Sequence, residues 1–324
     1  MAERGLASSR DPRDAGAEAP GVSVVITTWN QARFLSDAIE SVLGQTVPAD
    51  EIVVIDDGST DDARGVALRY AAVRYVRQEN LGLSRARNAG LQAARGRFVI
   101  FLDADDRLLP EALEAGIACM EAHPECAFVS GHYRMIDGEG RPIPSGSRSC
   151  VAADHYLELL RDNYIGMHAT VLYRREVLEQ VGGFDPAFRA CEDYELYLRI
   201  ARTRPVRCHE KLVAEYRWHG GNMSRRRRLM LRTALRCLRS QRRFLRGNPA
   251  RLAAYSSGVR FWQGHWGDPL LTETLADLRE PRRWGDAMLG LCTLARHYPR
   301  GLWNRMIEKI VAAAAFRRRR APQP

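Results

Sequence analysis

Residues 97–103 read RFVIFLD and run on through Ala104-Asp105-Asp106; set beside VSVVIT (22–27), EIVVID (51–56) and VRYVR (73–77), this stretch decides the fold. Each is a short apolar run rich in Val, Ile or Phe, the pattern of a strand buried on both faces. Between the runs the apolar positions switch to helical spacing: Phe34, Leu35, Ile39, Val42 and Leu43 after the first, about 61–70 after the second, and 84–94 after the third. Four strands alternating with three helices predict an α/β fold, a parallel sheet covered on both faces and joined by right-handed crossovers. Ligands of such sheets sit beyond the carboxyl ends of the strands. Two of those ends carry acid, Asp56–Asp57 and Asp103, Asp105 and Asp106, so carboxylates far apart in sequence are expected to meet at one edge.

Outward from this core, a helix over 110–122, a strand over 127–130, a hairpin turned at Asp137–Gly138 and a Pro/Ser/Gly-rich loop at 141–149, expected to be mobile, come next. A helix near 153–162, a strand at 169–173, a Gly182–Gly183 turn, a helix from about Glu192 to Arg202 and strand-like segments over 206–217 follow. From Arg225 onward strands give way to helical patterns. The expected organisation is a disordered leader (1–20), an α/β domain (21–224) and a basic helical extension (225–324). Hydrophobic residues at 45% and charged residues at 27% of 324 exclude a disordered chain. The formal charge of +10 is almost all arginine, Lys211 and Lys309 being the lysines, and such a skew can follow from genomic base composition; its local clustering carries more meaning. Seven cysteines, odd in number, scattered and without a C-x-x-C pair, argue against a disulfide framework or structural zinc. Residues 1–20 lack an apolar signal core and no run of 18 apolar residues occurs, so a cytoplasmic protein without a membrane span is expected.

Carboxylates at strand ends, beside a turn such as Asp57-Gly58-Ser59, suit a hard cation bridging a diphosphate. Strand alternation projects Asp103 and Asp105 toward one side, so that one takes ligand or ribose while the other holds metal; a capped turn would use the same residues.

The order of the motifs adds what spacing alone does not. VSVVITTWNQARFLSDAIESVLGQT (22–46), EIVVIDDGSTDD (51–62), NLGLSRARNAGL (80–91), FVIFLDADD (98–106), GGFDPAF (182–188), CEDYELYLR (191–199) and YRWHGGNMS (216–224) together resemble the family 2 glycosyltransferases of the GT-A fold, inverting enzymes that use nucleotide-diphosphate sugars. The resemblance implies that Thr27 and Trp29 meet the nucleotide base, Thr-Thr-Trp standing where many members have Pro-Thr-Tyr. It implies that Asp57 reads the base with Asp56 beside it, and that Asp103 and Asp105 form the D-x-D motif, Asp105 binding Mg²⁺ or Mn²⁺ directly. Arg87, with Arg85 as its alternative, falls near the donor pyrophosphate. His219 falls where some members approach the metal. Asp193 matches the catalytic base, with Glu192 beside it at the donor. An inverting transfer needs one carboxylate to take the acceptor hydroxyl's proton while a metal stabilises the departing diphosphate. The helix start at Cys191-Glu192-Asp193 is expected to favour the ionised carboxylate, although acids also serve there as plain helix-start residues. Cys191 reads as a small packing residue. The donor class implied is a UDP-sugar, with dTDP- and GDP-sugars open, and the acceptor is a sugar, lipid-linked or other hydroxyl.

Between Arg225 and Arg246 there are ten arginines and no acid. Leu231, Leu235, Leu238 and Leu245 recur at helical spacing beside an arginine stripe, which describes a basic amphipathic helix. Such a helix either rests on an anionic membrane, where lipid-linked acceptors are found, or packs its Leu face on the α/β domain. Nucleic acid is not the expected partner. Two rivals to the transferase reading are a sugar-phosphate nucleotidyltransferase, for which Thr27-Thr28-Trp29-Asn30 lacks the Gly-rich basic loop, and a non-catalytic basic protein on a degenerate scaffold. Retention of Asp57, Asp103, Asp105 and Asp193 argues against degeneracy.

Overall fold

The computed structural model describes residues 21–144, 150–305 and 307. The leader, residues 145–149 of the expected mobile loop and Arg317–Arg320 lie outside the described residues.

The first half is built from β1 (Val22–Thr28), α1 (Ala32–Leu43), β2 (Glu51–Asp56), α2 (Ala63–Ala67), β3 (Val73–Arg77), α3 (Leu83–Ala93) and β4 (Phe98–Asp103). Strands β3, β2, β1 and β4 lie side by side and parallel, with Thr27 level with Ile55 on one side and Asp103 on the other. All seven residues of β1 are buried, as two-sided coverage requires. Its alternation separates two cores. Val25 joins Val53, Ile55, Val99 and Phe101 on one face, while Val24 and Ile26 join Ile52, Val54, Ile100 and Leu102 on the other. Helix α1 buries Leu35, Ala38, Ile39 and Val42 on the second face. Helix α3 crosses the first so closely that a Cβ on Gly90 would stand 2.2 Å from Val25 Cγ1; only glycine fits there.

The second half adds antiparallel pairing. It comprises β5 (Arg107–Leu108), α4 (Ala112–Ala122), β6 (Phe128–Ile136), β7 (Pro142–Ile143), α5 (His155–Arg161), β8 (Val171–Arg174), α6 (Arg175–Val181), α7 (Glu192–Ala201) and β9 (Arg207–Arg217). The sheet order is β3-β2-β1-β4-β8-β6-β9-β5, with β7 on β6. Strand β8 runs antiparallel to β4 and β6, and β9 parallel to β6. The sheet is therefore mixed.

Helices α8 (Arg227–Gln241), α9 (Pro249–Asp277) and α10 (Trp284–His297) follow, with a further helical segment over 299–305. Asn248 caps α9 by accepting from the Arg251 N–H, and Pro249 opens it. The Leu face predicted for 225–246 is packed inside the protein: Leu231, Leu235, Leu238 and Leu245 are buried in the same core that contains Val25, Tyr194 and Trp262. An anionic surface would meet only the exposed arginines of this segment, among them Arg232, Arg236 and Arg243. Among the described residues, no helix is long and apolar enough to cross a membrane.

Candidate active site

A cleft of about 780 Å³ opens at the carboxyl ends of β1, β2 and β4. Thr27, Trp29, Asp57, Asp103 and Asp105 form its sheet side, Arg85 contributes from α3, and Tyr216 near the end of β9, with Asn222, Ser224 and Arg226 from the chain after it, closes it. The parallel strands carry their two acidic ends to this one place, as topology requires.

Asp103 is braced on two sides. Thr27 Oγ1 donates to its Oδ1 at 2.9 Å, and Arg87 Nη2 reaches both oxygens at 2.9 and 3.0 Å. The same guanidinium donates through Nη1 to Glu192 Oε1 at 2.6 Å. Arg87 is buried, and burial opposes its charge, but Asp103, Glu192 and Asp193 more than offset that and push the guanidinium above its usual range. One buried cation thus ties the end of β4 to the start of α7. Removing either partner from such a pair leaves a buried charge uncompensated.

Asp105 is held differently. Its Oδ2 lies 2.9 Å from His219 Nε2 and 3.5 Å from Gln31 Nε2. The Gly221 N–H donates to His219 Nδ1 at 3.1 Å, which makes Nδ1 the acceptor and assigns the neutral ring's proton to Nε2, aimed at Asp105. Asp105 lines the cleft and His219 reaches it from just behind the lining. A carboxylate and an imidazole nitrogen converging on one end of a diphosphate-sized cleft fit a divalent cation once the ring proton moves from Nε2 to Nδ1 and the Gly221 contact is given up. Imidazole as one of the two donors favours Mn²⁺ over Mg²⁺, which prefers oxygen throughout. Asp103 fits that role less well, since Arg87 takes both its oxygens.

The next residue, Asp106, turns inward. It is buried, accepts from the Arg217 N–H at 2.8 Å, and its carboxyl is pushed well above the usual range, first by burial and then by Asp105 and Asp103. Arg217, 1% exposed, donates to the Asp105 carbonyl and to Asp37 Oδ2. Asn222 donates to the Arg217 carbonyl at 2.9 Å and accepts from the His219 N–H at 2.5 Å, so the turn that presents His219 is tied to the strand before it. Sequence reasoning singled out none of Gln31, Arg217 or Asn222 for the site. Gln31 and Asn222 lie within the motif stretches but carry no charge to mark them.

The structure revises several expectations. Asp56, expected beside the base, is turned into the protein: its oxygens accept from the Ser59 N–H at 2.7 Å and from the Tyr75 hydroxyl. Asp57 does face the cleft, but it also accepts from Gln78 Nε2 and from the N–H groups of Leu81 and Gly82, fixing the loop into α3. Arg87 points into the interior and Arg85, two residues earlier and on another face of α3, is exposed on the cleft. Neither Glu192 nor Asp193 lines the cleft, whose nearest lining from this part of the chain is Pro186, Phe188 and Arg189. Cys191 takes a left-handed conformation, φ 54°, to start α7, and its thiol lies 3.5 Å from Thr233 of α8. The helix start does not hold these acids in their usual range. Burial raises the pKa of Glu192 to about 7, against the pull of Arg87, and raises that of Asp193 against Arg87 and the Tyr194 N–H.

The architecture has known counterparts. The Staphylococcus aureus TarS fragment solved with UDP-GlcNAc superposes with a TM-score of 0.59 at 18% identity, covering 76% of this chain and 73% of that one. The mannosyltransferase PcManGT of Pyrobaculum calidifontis, solved with GDP-Man and Mn²⁺, gives 0.54 at 19% identity, covering 86% of each chain. These likenesses show the GT-A fold. An uncharacterized glycosyltransferase of Nostoc sp. is 35% identical over 212 residues, 62% of this chain and 66% of that protein. The putative teichuronic acid biosynthesis glycosyltransferase TuaG of Bacillus subtilis is 30% identical over 212 residues, 63% of this chain and 82% of that protein. The chain spans only 30–36% of the length of several other curated relatives it matches. The family model "Glycosyl transferase family 2" matches residues 23–182, which contain β1 to β4 and both acidic strand ends. With TuaG matched over most of its length, the chain belongs to glycosyl transferase family 2.

Proposed function

We propose that the cleft binds a nucleotide-diphosphate sugar, UDP-linked by default, and that the protein transfers the sugar with inversion to a hydroxyl acceptor in polysaccharide or glycoconjugate synthesis. The observation that carries this reading is the convergence of Asp105 and His219 on the cleft that Asp57 and the half-exposed ring of Trp29 also line. Trp29 supplies an aromatic face for the base, and Asp57, with lone-pair capacity beyond its three N–H partners, supplies an acceptor. Arg85, with Arg189 and Arg226 on the same cleft, is available to the pyrophosphate, while Arg87 keeps Asp103 in place. A divalent cation held by Asp105 and His219 would neutralise charge on the leaving diphosphate. Asp193, at the head of α7, is the proposed base; burial raises its proton affinity above that of an ordinary carboxylate, the direction a general base needs. No covalent enzyme intermediate is required.

The UDP-GlcNAc bound by TarS and the teichuronic acid pathway in TuaG's name support a UDP-sugar and a cell-surface polymer. The GDP-Man and Mn²⁺ in PcManGT support the metal. We take 21–224 as the transfer unit and 225 onward as its helical support, whose exposed arginines would face an anionic membrane.

The test is thermal unfolding of the full chain with UDP, GDP, dTDP or CDP, each with and without Mn²⁺. A nucleotide at about 100 times its Kd adds about 2.7 kcal/mol. A Mn²⁺-dependent rise with one nucleotide is expected; no rise with any of them overturns the donor site.

A further inference from the structure

Away from the cleft, four metal-binding side chains that the sequence scatters over nearly eighty residues come together on the flank of β6 and β9. His132 Nε2 lies 3.0 Å from Glu210 Oε2 and 3.8 Å from Cys150 Sγ, and the three ligand atoms lie within 4.8 Å of one another. The Cys208 thiol hydrogen-bonds that of Cys150 and accepts from the Val151 N–H at 2.9 Å. None of these residues lines the cleft.

The backbone is shaped to bring them there. The β6–β9 ladder breaks register on both sides of His132, between Ser130 and His132 and again before Tyr133. Bulges of this kind re-aim a side chain, and this one turns His132 toward β9. The Cys150 N–H donates to Glu210 Oε1 at 3.2 Å, which fixes the chain carrying the thiol against the same carboxylate. Among the described ion pairs, Glu210 is paired with His132 alone.

We propose that His132, Cys150 and Glu210, with Cys208 as the fourth donor, bind one Zn²⁺. Around a tetrahedral zinc, with bonds of about 2.0–2.1 Å to nitrogen or oxygen and about 2.3 Å to sulfur, neighbouring donor atoms stand roughly 3.3–3.8 Å apart. The distances of 3.0 and 3.8 Å here need only small side-chain rotations to meet that geometry. Two thiolates and an imidazole select a borderline-soft ion, in contrast to the oxygen-rich end of the cleft. The absence of a C-x-x-C pair conceals such a site, because its ligands come from three separate segments. The ion would clamp the chain at Cys150–Val151 onto β9. Both thiols must lose their protons on binding, so affinity rises with pH.

The test is to strip the full chain with a chelator and titrate it with Co²⁺ and then Zn²⁺. One equivalent of Co²⁺ is expected to produce thiolate charge-transfer absorption that Zn²⁺ abolishes, with a higher unfolding midpoint in the zinc form. Asp105→Asn keeps this signal, since a metal held in the cleft has no sulfur ligand; Cys150→Ser weakens it by half or more, and the Cys150→Ser/Cys208→Ser double variant loses it. Should either variant fail to fold, Glu210→Gln, at a side chain 74% exposed, is expected to weaken Co²⁺ binding at least tenfold with normal folding. Absence of thiolate absorption with Co²⁺, its undiminished persistence in Cys150→Ser, or a Cys150–Cys208 disulfide found by peptide mapping of the protein as isolated would overturn the proposal.

Discussion

At the end of β2 the chain carries Asp56 and Asp57; at the end of β4 it carries Asp103, Asp105 and Asp106. Both runs sit at the same edge of one sheet, and each divides its carboxylates between the interior and the cleft. Asp56 and Asp106 are buried and hold backbone N–H groups, of Ser59 and Arg217 respectively. Asp57 and Asp105 line the cleft, which Asp103 and the buried Asp106 also border. The difference lies in what the outward acid has left to give. Asp57 is bonded to Gln78, Leu81 and Gly82, so it is a fixed acceptor that cannot move. Asp105 is held only by side chains, His219 and Gln31, and those contacts can be exchanged for a ligand. Neutral or positively charged recognition suits the first, metal binding the second.

The largest effect should follow from Asp105→Asn. Its pair with His219 is largely buried, but asparagine keeps an oxygen for the ring, so stability should change by no more than about 1–2 kcal/mol. Sugar transfer should fall about 10²–10³-fold, the order of a lost charge-stabilising contact in a transition state, and the Mn²⁺-dependent part of the nucleotide-induced thermal shift should vanish. A variant that keeps its Mn²⁺ response would place the metal on other residues and erase the contrast between the two acidic runs.

Asp56→Ala should do the opposite. It strands the buried Ser59 N–H and the Tyr75 hydroxyl, a cost of about 1–3 kcal/mol that urea unfolding would register. Nucleotide affinity of the folded protein should stay within about twofold, because Asp56 does not reach the cleft. A large loss of affinity at unchanged stability would move Asp56 from the scaffold to the binding surface.

The parts of this molecule that could be read from sequence are those governed by local period. Strands β1, β2 and β4 announce themselves because burial on both faces demands unbroken apolar runs, and the parallel order brings Asp57 near Asp103 without further information. The two-residue strands β5 and β7 are too short to have a pattern. Helix α8 shows its Leu face plainly, yet amphipathicity names no partner, and only tertiary packing shows that α7 and α9 cover it. The choice between Arg85 and Arg87 needs the rotational setting of α3 on the sheet, which Gly90 fixes through its close approach to Val25. The His132, Cys150 and Glu210 cluster depends on a register shift that no residue type signals.

The smallest effect tests the link that joins the β4 run to α7. Glu192 is buried and its pKa is raised from 4.5 to about 7, chiefly by burial and against the pull of Arg87. A raised carboxyl means that the folded protein holds a proton which the unfolded chain releases from about pH 4.5 upward. This group therefore makes the protein less stable as pH rises from about 4.5 to about 7, with no further change above that. Glu192→Gln keeps an oxygen for Arg87 Nη1 and removes the titration. The unfolding free energies at pH 5 and pH 7 should then differ from the wild-type difference by about 1–2 kcal/mol, the variant gaining relative stability at pH 7. Equal pH slopes in the two proteins would mean that Arg87 keeps Glu192 ionised throughout. Asp103 would then share its guanidinium with a second full negative charge, and the β4 run would be anchored to α7 by a complete ion triad in place of a titrating one.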